Sequence, residues 1–266
     1  MREAVIPSTG IAISYAEMSA IGGRQSNQDA LGAIMLDDLA CFVVADGAGG
    51  HDGGEIAANT VVEAIIDRFE LESVFGARAM STYIDSAIDA VAAAKADQAH
   101  LKDMSATVAT VLIDLKNNRA FWAHLGDTRI YLFRRGKVNR MTKDHSIAQQ
   151  FVDAGFWPHD SIRNHPQRSR LLAAIGSEGE MRPEVSAEPI QCLDGDVFLI
   201  CTDGFWEWVT ENEMEQSLGD AISAEQWLHQ LCDTISKKAD LSGKPRDNCT
   251  AYAIWLGEPE VITITR

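Results

Sequence analysis

Cys41-Phe42-Val43-Val44-Ala45-Asp46-Gly47 is the stretch that decides the fold. A continuous run of β-branched and aromatic residues reads as a strand buried on both faces. It delivers a carboxylate, Asp46, to its C-terminal end, and the glycine beside it lets another group approach the backbone. Val197-Phe198-Leu199-Ile200-Cys201-Thr202-Asp203-Gly204 ends the same way. Carboxylates gathered at the ends of core strands are costly unless something positive neutralises them. The first expectation is therefore a metal site.

Further strands are expected at Ile11–Met18, Ala30–Met35, Ala106–Asp114, Arg119–Leu125, Arg129–Arg135, Pro183–Glu188, Cys249–Leu256 and Val261–Thr265. Helices are expected at Glu55–Phe69, Ser81–Ala99, Glu211–Leu218 and Ala224–Lys238, with apolar residues on one face, such as Trp227, Leu228, Leu231 and Ile235 in the last. Strands, a helix pair, more strands and then helices predict an α+β layered domain. Two sheets packed face to face, with helices outside, would bury both faces of the apolar strands. Asn117-Asn118 and Asp194-Gly195 read as turns, the second as a hairpin. Phe151–Gln167 holds Pro158 and Pro166 and little periodicity, and reads as an exposed loop or flap.

Composition narrows the class. Hydrophobic residues make up 46% of 266, enough for a sizeable core, and no linker or repeat interrupts the chain, so a single domain over 1–266 is expected. Twenty-three Lys and Arg against 39 Asp and Glu give a formal charge of −16, which argues against nucleic acid as a partner. That acidity serves solubility or cation binding, and the sum does not separate them. Met1–Ser14 lacks a basic stretch followed by an apolar one, and no apolar run approaches the ~18 residues that span a membrane. Five scattered cysteines, Cys41, Cys192, Cys201, Cys232 and Cys249, fit reduced thiols in a cytoplasmic protein better than disulfides or a zinc site.

Four aspartates flank core strands: Asp46, Asp127, Asp203 and Asp247, with Asp29 close by in sequence to the first. In an antiparallel sheet the end of one strand neighbours the start of the next, so the four can meet at one edge. Asp-Gly is also the commonest hairpin signal, and only the combination argues for ligation. Hard oxygen donors of this kind suit Mg²⁺ or Mn²⁺. Arg24, in Arg24-Gln25-Ser26-Asn27-Gln28-Asp29, offers a planar fork for phosphate oxygens. The stretch Gly47–Glu55 is either a phosphate cradle at a helix N-terminus or a flexible strand-to-helix connection that exposes Gly47 to a metal. It is neither a Walker loop nor a dinucleotide fingerprint.

Arg24-x-x-Asn27-Gln28-Asp29, Ala45-Asp46-Gly47-Ala48-Gly49-Gly50-His51, Gly126-Asp127-Thr128-Arg129, Asp144-His145-Ser146, Thr202-Asp203-Gly204 and Asp247-Asn248-Cys249-Thr250 follow one another in that order. The pattern resembles the metal-dependent protein serine/threonine phosphatases (PPM, or type 2C) in their bacterial form. The resemblance implies a four-layer α/β/β/α sandwich, two mainly antiparallel sheets flanked by helix pairs, with two Mn²⁺ or Mg²⁺ ions at one end. It implies that Asp46 bridges both ions, that the Gly47 carbonyl binds the second, and that Asp203 and Asp247 complete the first. Asp29 and Gln28 would hold metal-bound waters, and Asp127 would belong to a third, weaker site shared with Asp203. Arg24 would grip the substrate phosphate, and Asn248 and Arg168 would stand around the ligands or the substrate. Gln28 stands where many members have Glu. Glu207 falls where some relatives have an Asp near the third ion. His51 lies four residues beyond Gly47 rather than directly after it, so the proton donor to the leaving group is His51 or a metal-bound water. His145 is expected to brace a loop.

Two metals ~4 Å apart can lower the pKa of a shared water and stabilise in-line displacement at phosphorus. The implied function is hydrolysis of phosphoserine and phosphothreonine in proteins, substrates of a serine/threonine kinase, by direct attack of a hydroxide bridging the ions. Two other readings remain open: a phosphatase-like module that binds phosphoproteins without turnover, and a metallohydrolase for small phosphoesters. The Phe151–Gln167 flap, with Arg163 and Arg168, is the expected specificity element.

Overall fold

The structure, a computed structural model, describes residues 10–49, 53–178 and 182–257; the strand expected at Val261–Thr265 lies outside them. Strands β1 (Ile13–Ala20), β2 (Asp29–Leu36) and β3 (Leu39–Ala48) come first, then helices α1 (Gly53–Leu71) and α2 (Ala77–Asp97). Strands β4 (Ser105–Ala106), β5 (Val108–Asp114), β6 (Arg119–Leu125), β7 (Arg129–Arg134) and β8 (Lys137–Met141) lead to α3 (Ile147–Asp153). After β9 (Glu184–Val185), β10 (Ile190–Gln191) and β11 (Val197–Cys201) come α4 (Asp203–Trp206), α5 (Glu211–Gly219), α6 (Ala224–Ser242) and β12 (Cys249–Leu256).

The strands form two antiparallel sheets. One runs β1-β12-β11-β7-β8; the other runs β10-β6-β5-β3-β2, with β4 on β3 and β9 on β6. The period-2 alternation of β3 explains how an unbroken apolar run is satisfied. Cys41, Val43 and Ala45 face α1 and α2, packing with Val61, Ile65 and Ile84. Phe42 and Val44 face the other sheet, packing with Phe198, Ile200 and Tyr252. Between the sheets Phe42 meets Tyr15 and Tyr252 edge-on, at centroid distances of 5.1 and 5.4 Å. On the far side Leu199, Cys201 and Ala253 pack with Trp227, Leu231 and Ile235 of α6. The result is the expected α+β sandwich, sheet on sheet with helices outside.

Three local expectations change. The strand expected at Ala106–Asp114 breaks at Thr107, which turns its side chain to Asp46 instead of continuing the ladder. Asp194-Gly195 is a turn but not a hairpin, because β10 and β11 on either side belong to different sheets. The flap is not simply an exposed loop. Ser146 caps α3, which runs into it, a 3₁₀ turn spans His159–Asn164, and Ile162 and His165 are buried. Strand β8 escapes sequence reading because it is a polar edge strand, Lys137-Val138-Asn139-Arg140-Met141, with no apolar alternation to betray it.

Candidate metal centre

The ladder that pairs β2 with β3 sets Asp29 directly opposite Asp46. Asp46 is then fixed from its other side. Its N–H donates to Thr107 Oγ1 (3.1 Å), its carbonyl accepts from Thr107 N (2.8 Å), and Thr107 Oγ1 meets Thr128 Oγ1 at 2.6 Å beside Asp127. In the other sheet β11 lies between β7 and β12, so Asp203 emerges between the strand starts that carry Asp127 and Asp247. Thr202 ties the two sheets together: its hydroxyl donates to Asp29 Oδ2 (3.0 Å) and accepts from Thr250 N (3.1 Å).

Asp46, Asp127, Asp203 and Asp247 line one cleft of about 280 Å³ together with Arg24, Gln28, Gly47 and Asn248. Asp29 sits just behind the wall, buried, with Oδ1 lacking any hydrogen-bond partner. Gly47 has no room for a side chain, since a Cβ there would lie 1.9 Å from the Gly54 carbonyl oxygen. Gly204 is equally constrained, by the Asn248 carbonyl at 1.9 Å, and belongs to α4 rather than merely turning the chain.

Like charges brought together out of water hold their protons. Burial, then Asp203, Asp29, Asp127 and Asp247, push the Asp46 carboxyl well above the usual range. Asp203 is pushed up likewise by burial, Asp127 and Glu207. Burial and Asp144 raise Asp127 to about 7, and burial raises Asp29 to about 6 against its hydroxyl hydrogen bonds. Such a cluster is at ease only when cations compensate it, and its donors are all oxygen. The residues therefore fit hard divalent ions.

Asn248 shapes the cleft mouth. Its Oδ1 accepts from Gln28 N, and its Nδ2 donates to the Ile21 and Ser26 carbonyls, each at 2.9 Å. It thereby pins the loop bearing Arg24 onto β12. Asn248→Ala leaves those three backbone groups without their partner and is expected to lower stability by about 2 kcal/mol in urea unfolding. An unchanged midpoint would contradict the pinning role.

Arg24 donates to Asp247 Oδ2 at 2.5 Å, and its side chain is 57% exposed at the mouth. Arg168 pairs with Glu207 through both guanidinium nitrogens that face it. Arg163 is committed inward, to the Trp206 and Val209 carbonyls and to Glu211 (2.9, 3.1 and 2.8 Å), so this flap arginine is a tether and not a free specificity element. His51 lies outside the described residues. His145 braces the Asp127 loop, its Nδ1 accepting from Gly126 N (3.1 Å) and its own N–H donating to the Gly126 carbonyl (2.9 Å).

Sequence reasoning assigned no role to Arg129, Asp144 or the threonines. Arg129 and Asp144 form a buried bidentate pair, both contacts at 2.7 Å, with the guanidinium 3.5 Å from the Trp206 ring centre. Trp206 Nε1 donates to the Asp127 carbonyl at 2.9 Å. The pair thus anchors the strand start that presents Asp127. His124 and His145 stack near Glu184, and one ligand atom of each of the three lies within 4.8 Å of the others. This trio lies outside the cleft: His124 Nε2 donates to the Lys143 carbonyl and leaves Nδ1 buried without a hydrogen-bond partner, and the Gly126 bond leaves the His145 proton on Nε2, facing Glu184 at 3.8 Å.

An open cleft of carboxylates at the end of a double sheet, with an arginine at its lip, defines a hydrolase that uses divalent cations on anionic substrates. The chain belongs to the protein phosphatase 2C family, whose model matches residues 18–243. It is 27% identical over 237 residues to the serine/threonine phosphatase stp of Listeria welshimeri, covering 87% of this chain and 90% of that protein. The crystal structure of the Mycobacterium tuberculosis serine/threonine phosphatase PstP superposes with a TM-score of 0.79 at 27% identity, covering 93% of this chain and all of that one. A PstP catalytic domain solved with two manganese ions matches at a TM-score of 0.78 and 24% identity, over 94% of this chain and all of that one.

Proposed function

We propose that this protein hydrolyses phosphoserine and phosphothreonine in proteins, using Mn²⁺ or Mg²⁺ held by Asp46, the Gly47 carbonyl, Asp203 and Asp247. Asp29 and Gln28 would hold waters bound to the ions, and Asp127 with Asp203 would offer a third position. The observation that carries the reading is the convergence of mutually repelling carboxylates on one cleft beside Arg24. The manganese pair of the related PstP domain supports the same choice of metal. When bound, the ions supply charge neutralisation and a water acidic enough to attack phosphorus directly.

The protein's own residues do the rest. Arg24 holds and orients the phosphate with its fork, exchanging its present partner Asp247 for phosphate oxygens. Asn248 keeps Arg24 in reach. No cysteine is suited to covalent attack, since burial pushes the thiols of Cys41, Cys192, Cys201, Cys232 and Cys249 up and away from the thiolate form. Acid quench of a reaction on radiolabelled phosphopeptide is therefore expected to leave no label on the protein, and stoichiometric labelling would overturn direct attack.

The substrates are phosphoproteins made by a serine/threonine kinase, and a groove of about 700 Å³ that continues from the cleft past Arg24 favours a polypeptide over a small phosphoester. The chain works as one phosphatase domain with a flap at about 151–167, acting in the cytoplasm. No described helix is long and apolar enough to cross a membrane.

The raised carboxylates give a pH signature. Asp29 and Asp127 hold protons more tightly folded than unfolded. Their stabilising contribution is full below the ordinary carboxylate range and is lost as pH rises through about 6 and about 7. Cations replace those protons. The thermal shift on adding Mn²⁺ should therefore be larger at about pH 8 than at about pH 5. Equal shifts at both would refute the coupling.

A further inference from the structure

We infer that the groove beside the cleft selects phosphosites flanked by carboxylate side chains, a statement that rests on the phosphatase reading above. The groove shares Arg24 and Asp247 with the cleft, so a polypeptide whose phosphate enters the cleft must run along it. One wall is the end of the flap, from Arg163, with Arg168 just beyond it, and the other is the loop Lys244-Pro245-Arg246 between α6 and β12.

The charges within it are sorted unequally. Arg163 is paired with Glu211, Arg168 with Glu207 and Arg24 with Asp247. Among the described residues, Lys244 and Arg246 have no carboxylate partner in any ion pair. Arg246 hydrogen-bonds through its side chain to Ser236 Oγ, at 3.3 Å. Lys244 is exposed on a loop that begins at Gly243, the left-handed cap of α6 (φ 63°). Two uncommitted cations therefore face a groove whose other cations are already neutralised, on a chain of formal charge −16. On such a surface they single out a partner that carries negative charge beyond its one phosphate. Lys244 is an exposed ammonium, a point charge without the planar fork that grips phosphate bidentately, and Arg246 is half-buried with one nitrogen held by Ser236, so the two suit dispersed carboxylates better than a second phosphate. Their contribution falls with salt, as expected of exposed pairs.

The test compares kcat/KM for phosphothreonine peptides with acidic, neutral or basic flanks and for a doubly phosphorylated peptide, using the full chain with Mn²⁺. Wild type should favour acidic flanks over neutral ones by about threefold to tenfold at low salt. Lys244→Glu, alone and with Arg246→Ala, should abolish that preference. The neutral-flank peptide and p-nitrophenyl phosphate should be hydrolysed as before. Lys244→Glu alters one exposed side chain, so its result stands even where the double variant loses stability. A preference for the second phosphate without one for carboxylates overturns the assignment, as does an equal loss on every substrate. Wild type that releases phosphate from all peptides without flank preference defeats this inference alone. Wild type that releases none from any peptide defeats the phosphatase reading itself.

Discussion

Asp46→Asn should reduce phosphopeptide turnover by about a thousandfold or more, equivalent to ~4 kcal/mol of lost transition-state stabilisation. Asp46 is the carboxylate that every other acid of the site acts on: Asp203, Asp29, Asp127 and Asp247 each raise it. An amide keeps its shape and its backbone bonds to Thr107, so the fold is retained. What disappears is one negative charge at the centre of the cation site. The same substitution should make the metal-free protein more resistant to heat, because it relieves repulsion among buried carboxylates. Calorimetry on metal-free and Mn²⁺-loaded samples checks both halves. Activity within tenfold of wild type would remove Asp46 from its place in the mechanism.

Asp144→Ala should cost about 3–5 kcal/mol of stability, which is a large part of what a domain of this kind has. Asp144 offers both its oxygens to Arg129, at 2.7 Å each, and neither side chain is more than 2% exposed. Burial works against the Arg129 charge, and Asp144 together with Tyr131 outweighs it. Without Asp144 the guanidinium keeps its place over Trp206, with Glu211 at 3.8 Å as its remaining ion-pair partner among the described residues. Urea unfolding measures the loss, and a change below about 1 kcal/mol would show that the pair is dispensable. Because Trp206 also holds the Asp127 carbonyl, residual folded protein should have weakened affinity at the third cation position proposed for Asp127 and Asp203.

The sandwich was legible because its strands carry their burial in their composition. Phe42 and Cys41 are both apolar because one faces a sheet and the other a helix pair. The cleft was legible for a related reason: aspartates that recur at the ends of such runs are costly to bury unless a cation compensates them. What stayed hidden were residues whose importance is only a matter of partners. Thr107, Thr202 and Thr250 look like ordinary strand residues, and nothing local announces that their hydroxyls and amides bind across strands and sheets. Arg163 read as a free flap cation because a positive side chain in a loop gives no hint of the inward carbonyls of Trp206 and Val209 that hold it. Asp194-Gly195 read as a hairpin because a dipeptide cannot tell which sheet its next strand joins.

The most direct test is phosphate release from a phosphothreonine peptide by protein first stripped with EDTA and then titrated with Mn²⁺. Release should be absent from the stripped protein and should rise to saturation as the ion is restored. Turnover that persists without metal would contradict the metal-dependent phosphatase reading, and so would a Mn²⁺-saturated protein that binds the peptide and leaves its phosphate in place.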